Sequence, residues 1–210
     1  MLFRSIAETP ELLEQKEMII QTNKKGSLSV FNEIKEHNAI YITAPFPKYI
    51  GTKLSKRCIA EKLAIDNTEI SDALPIDIID AGLRTLIIPI SKLSDEVSMV
   101  PNEQILKSFC LSEDIDIILV FSMETKDEQN IAHTRVFAPK FGYLEDPATG
   151  SGNSAFGYYM LKNNLWNGMP VSIEQGGEDR IFNSVKLRCN EGRVIFGGTA
   201  RTRINGSYYI

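Results

Sequence analysis

Apolar and polar residues in this chain fall mostly into short strand-like runs. Residues 18–22 (MIIQT), 27–31 (SLSVF) and 39–43 (AIYIT) carry the two-residue rhythm of strands, with turn signals at Lys25-Gly26 and His37-Asn38 between them. Ala44-Pro45-Phe46-Pro47 ends the third run, because proline cannot donate to a ladder. Residues 52–64 (TKLSKRCIAEKLA) change period: Leu54, Cys58, Ile59 and Leu63 share one helical face, with lysines and Arg57 opposite. Strands are predicted at 76–79 and 83–90, joined through Asp80-Ala81-Gly82, then a helix at 102–110 and strands at 115–122 and 131–138. A helix at 153–165 and strands at 170–174, 184–189 and 193–204 complete the pattern.

Many short strands around few helices predict an α+β fold with mostly antiparallel sheet. The 153–165 helix is unusual. Ala155, Phe156, Tyr158, Tyr159, Met160 and Leu161 leave it no charged face before Lys162. A helix that is apolar all round must be enclosed, so the sheet is expected to wrap around it. The prolines after 43 suggest a boundary, dividing the chain into 1–47 and 48–210. The first part is too short for an independent domain, and three strands without a helix cannot bury their inner face.

Composition narrows the function classes. The chain has 210 residues, 43% hydrophobic and 24% charged, which suits a globular protein. A net charge of -4 gives no electrostatic footprint for nucleic acid or an anionic membrane. No apolar run reaches the ~20 residues of a membrane span, and the N-terminus lacks a signal-peptide core, so the expected location is cytoplasmic. Cys58, Cys110 and Cys189 are far apart and read as buried thiols, and two histidines, His37 and His133, do not make a metal centre. His133 and Arg135 share one face of their strand. The first is read as a sheet-face histidine with a local partner, in preference to a proton relay, and the second as half of a structural ion pair. Trp166, Tyr158 and Tyr159 read as core aromatics, and the acidic run 112–116 as a solvated connection.

The chemistry concentrates in EDPATGSGNSAFGYYML, Glu145 to Leu161. Pro147 pushes Asp146 toward extended backbone. Thr149-Gly150-Ser151-Gly152 turns sharply ahead of the helix, and small side chains let a ligand reach the main chain. The free N–H groups of a first helical turn, with the helix dipole, favour a carboxylate, phosphate or enolate oxygen. An aspartate beside them can hold or deliver a proton. Glu145 is a poor second acid, since neighbours on a strand face opposite ways. The bland alternative is a capped structural turn, because Asp and Ser are preferred N-caps.

Arg135-Val136-Phe137-Ala138-Pro139, Gly142 and Glu145-Asp146-Pro147-Ala148-Thr149-Gly150-Ser151-Gly152 together resemble the signature of the PhzF-like (phenazine-biosynthesis-like) proteins, which share the diaminopimelate epimerase fold. Asp80-Ala81-Gly82, Glu174-Gln175-Gly176 and Val194-Ile195-Phe196-Gly197-Gly198-Thr199-Ala200 extend the likeness over about 17–208. The resemblance implies two lobes, each a sheet wrapped on a central helix, with the active site between the helix N-termini. It implies a cofactor-independent isomerase with Asp146 as an active-site acid and Thr149, Gly150, Ser151 and Gly152 as the substrate-binding turn. The family's main proton shuttle is a first-lobe glutamate accompanied by a Gly-His pair, and this sequence has no Gly-His. The runs at 18–43 read as the end of the first lobe and Met1-Leu2-Phe3-Arg4 as the tail of its helix. The expectation is a complete second lobe, a partial first lobe to which the last strand is a candidate to return, and an N-terminal truncation that removes the glutamate. Two functions follow: proton transfer on a small carboxylate-bearing metabolite, or an inactive homologue serving as a binding or dimerisation module. A homodimer is expected in either case. Racemisation by paired thiols is set aside, since 144–156 contains no cysteine.

Overall fold

The computed structural model of the chain describes residues 2–23, 26–177, 183–200 and 206. The chain divides into two units, 1–43 with 197–210, and 44–196. The part of the expected 193–204 strand beyond Ala200 lies outside the described residues.

The first unit runs α1 (Leu2–Ala7), α2 (Pro10–Leu13), β1 (Glu17–Thr22), β2 (Gly26–Glu33), α3 (Ile34–His37) and β3 (Ala39–Thr43). The three strands form an antiparallel meander in sequence order. Its small core joins Ile6 to Val30 and Ile40. Buried Asn32 donates to the carbonyls of Leu12, Leu13 and Gln15, which ties the end of α2 to β2.

The second unit contains β4 (Lys48–Tyr49), α4 (Lys56–Leu63), β5 (Asp77–Asp80), β6 (Arg84–Pro89), α5 (Leu93–Ser98), α6 (Glu103–Ser112), β7 (Ile117–Ser122), β8 (Ala132–Phe137), β9 (Glu145–Asp146), α7 (Gly150–Lys162), β10 (Val171–Gln175), β11 (Asn183–Asn190) and β12 (Arg193–Gly198), the last as far as Phe196. Its strands lie in the order β12-β11-β10-β8-β7-β6-β5-β4, and β9 pairs with β8. The pairs β6–β7 and β8–β10 are parallel, whereas β4–β5, β5–β6, β7–β8, β8–β9 and β10–β11 are antiparallel.

A parallel pair needs a crossover, usually helical. The β6–β7 crossover carries α5 and α6, and the β8–β10 crossover carries α7. Both step across the sheet in the same direction, yet β6 and β8 run in opposite senses. Two crossovers of the same hand must then lie on opposite faces. The packing agrees. Ile117, Leu119 and Phe121 of β7 join the cluster around Ala155, Phe156 and Tyr159 of α7. Ile118 and Val120 join Leu106, Phe109 and Cys110 of α6, with Ile59 and Leu63 of α4. Covering both faces explains why β7 reads as an unbroken apolar run.

The sheet lies along an apolar helix, as its sequence requires: Gly152 through Met160 are all buried. Tyr158 accepts from the Val194 N–H, Tyr159 donates to the Pro75 carbonyl, and Trp166 donates to the Met169 carbonyl, so these are core aromatics with satisfied polar tips. Of the three cysteines only Cys110 is buried; Cys58 and Cys189 are partly exposed, because each sits near the end of its element. Burial pushes the Cys110 thiol up to about 11. In the acidic run, Asp116 is held by the Arg84 N–H and by Lys140, so it is an anchored connection. Among the described residues, no helix is long and apolar enough to cross a membrane.

Candidate active site

The helix expected from 153 begins at Gly150, so Gly150, Ser151 and Gly152 are its first turn. Thr149 is the N-cap residue with extended backbone, φ -112° and ψ 104°, but its side chain makes no capping bond. Its hydroxyl lies 2.7 Å from Asp146 Oδ2 instead. A helix leaves its first N–H groups without intrahelical acceptors, and this cap does not supply one.

Gln175, fully buried at the end of β10, organises the turn. Its Oε1 accepts from the Thr149 N–H at 3.0 Å and from Asn153 Nδ2 at 2.7 Å. Its Nε2 donates to the Asp146 carbonyl at 2.7 Å and to Thr149 Oγ1 at 3.1 Å. Asn153, also fully buried, donates to the Thr149 carbonyl at 2.9 Å. Thr134 of β8 meets Asn153 Oδ1 at 3.4 Å and donates to the Glu174 carbonyl at 3.0 Å. Every buried amide here is thus engaged, as a rigid polar cluster in a core requires.

Among the residues expected to form the site, Asp146 is half-buried and joined to Thr149. Thr149 is 6% exposed, with its side chain turned inward. Gly150 lies under the Phe196 ring: an added Cβ would come 2.3 Å from Cε2. Ser151 is half-buried on the outer side of the turn. Gly152 faces the sheet, where a Cβ would press on Ile117 and Val136 at 3.3 and 3.4 Å. Of the four residues of the turn, Gly150 and Ser151 are half-buried, while Thr149 and Gly152 are buried. Gln175, Asn153 and Phe196 were not expected here. Glu174-Gln175 and Phe196 stood out only as part of the resemblance, and nothing in one sequence pairs 175 with 149.

Glu145 and Asp146 separate as the pleat demands. Asp146 is paired with Val136, on the α7 face of β8, and Glu145 with Phe137, on the α6 face. Glu145 binds Arg135 with two bonds, to Nε at 3.0 Å and Nη2 at 2.9 Å. Arg135 Nη1 also donates to the carbonyls of Glu96, Val97 and Met99 at the end of α5, so it is the structural ion pair that its strand position suggested. His133 lies on the same face, fully buried, with Nδ1 3.1 Å from Glu96 Oε1. Burial raises the Glu96 carboxyl to about 7, although His133 and Arg135 pull the other way. Glu96 was missed because SKLSDEVSMVP has no helical rhythm strong enough to reveal α5. A cleft of about 440 Å³ is lined by Met99, Arg135, Glu145, Pro147, Gln175 and Asn183 among others, so it borders both the Arg135–Glu145 pair and the turn that follows Asp146.

A family model described as "Phenazine biosynthesis-like protein" matches residues 3–206. The chain is 29% identical over 201 residues to "Antisense-enhancing sequence 1" of Schizosaccharomyces pombe, covering 91% of this chain and 67% of that one. It is 28% identical over 207 residues to "Uncharacterized isomerase YfhB" of Bacillus subtilis, covering 97% and 68%. The structure is similar to that of a phenazine biosynthesis protein of the PhzF family from Bacillus anthracis, with a TM-score of 0.76, 25% identity and coverage of 89% of this chain and 66% of that one. The chain thus spans about two thirds of the length of these relatives. Solved epimerase- and racemase-type structures share the fold.

Proposed function

The chain belongs to the phenazine biosynthesis-like family, and on that premise we propose that it serves cofactor-independent proton transfer on a small carboxylate-bearing molecule. One observation carries this reading: the N-cap hydroxyl of α7 is given to Asp146, which leaves the first turn of the helix without a side-chain cap. The N–H groups of Gly150 and Ser151 would receive the substrate carboxylate. The helix dipole would stabilise the negative charge that develops when the neighbouring carbon loses its proton. Asp146 would hold or return that proton through the oxygen that Thr149 does not occupy. The second acid or base of an isomerisation must come from elsewhere than Glu145, which Arg135 holds on the opposite face.

The experiment is solvent-deuterium incorporation into a panel of α-amino, α-hydroxy and unsaturated carboxylic acids. Wild-type protein should label at least one acid, and Asp146→Asn should reduce labelling by about 100-fold or more. Equal labelling by the two proteins would remove Asp146 from the chemistry. A chain that binds carboxylates at the turn and labels none would fit a binding module.

A further inference from the structure

Hydrogen-bond directions around Asp146 can be assigned one after another, starting from a backbone group whose polarity is fixed. The Thr149 N–H can only donate, so the Gln175 atom facing it at 3.0 Å is the carbonyl oxygen Oε1. This settles the amide orientation, which is otherwise ambiguous. The Asn153 amide nitrogen, 2.7 Å away, donates to the same oxygen. Gln175 Nε2 then faces the Asp146 carbonyl at 2.7 Å, an acceptor only, and Thr149 Oγ1 at 3.1 Å. Both of its hydrogens are committed.

Because Thr149 Oγ1 receives a hydrogen from Gln175, its own hydrogen is free to point elsewhere. The acceptor in reach is Asp146 Oδ2 at 2.7 Å. All three groups are held on buried or half-buried elements, Gln175 on β10, Asp146 on β9 and Thr149 at the start of α7. Among the described residues, Asp146 Oδ1 receives no comparable bond.

We infer that Thr149 is a positioning residue for Asp146, with Gln175 setting the direction of its hydroxyl, so that the reacting oxygen of the carboxylate is Oδ1. The inference rests on the reading of Asp146 as the acid or base. It replaces a substrate contact for Thr149 with an inward role. The Thr149 hydroxyl proton stays on Thr149 throughout. The proton that moves passes between substrate carbon and Oδ1, and the C–H electron pair stays with the substrate as its enolate.

Two measurements on the full chain test this. In NMR of ¹³C-labelled protein, the Thr149 hydroxyl proton should exchange slowly with water and show a through-hydrogen-bond connection to the Asp146 carboxyl carbon. A freely exchanging hydroxyl, or one bonded to another acceptor, would overturn the inference whether or not the protein is active. In the deuterium-labelling assay, Thr149→Val should lower kcat by about 10- to 100-fold with KM within about twofold, and Thr149→Ser should recover most of that loss. If Thr149→Val leaves kcat unchanged while Asp146→Asn abolishes labelling, the inference about Thr149 fails alone. If Asp146→Asn leaves labelling intact, the acid/base reading fails, and the hydroxyl measurement still decides the geometry.

Discussion

The two faces of β8 are built from opposite chemistry. Facing α7, Thr134 leads to Asn153, Gln175, Thr149 and Asp146: neutral amides and hydroxyls ending in one carboxylate. Facing α5 and α6, His133 and Arg135 meet Glu96 and Glu145 in a cluster of ionisable groups centred on the Arg135–Glu145 ion pair. Neighbouring residues supply both sides. In Glu145-Asp146 the first acid goes to Arg135 and the second to Thr149. In Glu174-Gln175 the acid binds the 126 and 127 amides and Asn130, while the amide enters the Asp146 cluster. An acid clasped by two bonds to an arginine has little left for a ligand. An acid held at one oxygen by a hydroxyl keeps the other. Partner type, more than position in the motif, separates the carboxylate clasped by Arg135 from the one proposed to act chemically.

The sharpest way to break this contrast is to remove the centre of the charged face. Arg135→Met leaves Glu145 and three carbonyls of the α5 end without their donor, and should cost roughly 3–5 kcal/mol in chemical denaturation. A loss under about 1 kcal/mol would show that the charged face is not structural.

Next comes pH. The Glu96 carboxyl is raised by burial from 4.5 to about 7. Its contribution to stability is therefore complete below about 4.5 and is lost as pH rises through 7, with a ceiling of roughly 3 kcal/mol. Thermal midpoints measured across that window should flatten in Glu96→Gln relative to wild type. An unchanged slope would mean that Glu96 does not titrate there.

On the neutral face, Gly150→Ala would force the Phe196 ring aside, costing roughly 1–3 kcal/mol and weakening carboxylate binding. Adding Phe196→Leu should restore part of the stability if the clash is the cause. Smallest are the ordinary caps. Ser55 accepts from the Cys58 N–H and Asn102 from the Ile105 N–H, so alanine at either should cost about 1 kcal/mol with no effect on ligand binding. These two helices show what a satisfied N-terminus looks like, and α7 differs from both.

Much of this architecture was legible from period alone. The strand at β7, the amphipathic α4 and the enclosed α7 follow from which residues are apolar and how they are spaced. Asp146 and its glycine turn were legible as well, because a proline, small residues and a helix start have local consequences. Gln175 beside Asp146 and Glu96 beside His133 were not legible. Their roles depend on side-chain contacts across 26 and 37 residues of chain, Gln175 with Thr149 and Glu96 with His133, and a single sequence carries no signal for such contacts. The start of α7 at 150 rather than 153 has a related cause: glycine and serine look like loop until a neighbouring strand supplies Gln175 to anchor the residue before them.

The central claim is that the first turn of α7 is an open anion site while those of α4 and α6 are closed. Backbone amide NMR during titration with acetate, pyruvate and benzoate tests it directly. The amides of Gly150 and Ser151 should shift saturably, while Arg57, Cys58, Gln104 and Ile105 stay still. No shift at Gly150 and Ser151, or equal shifts at all three helix starts, would contradict it.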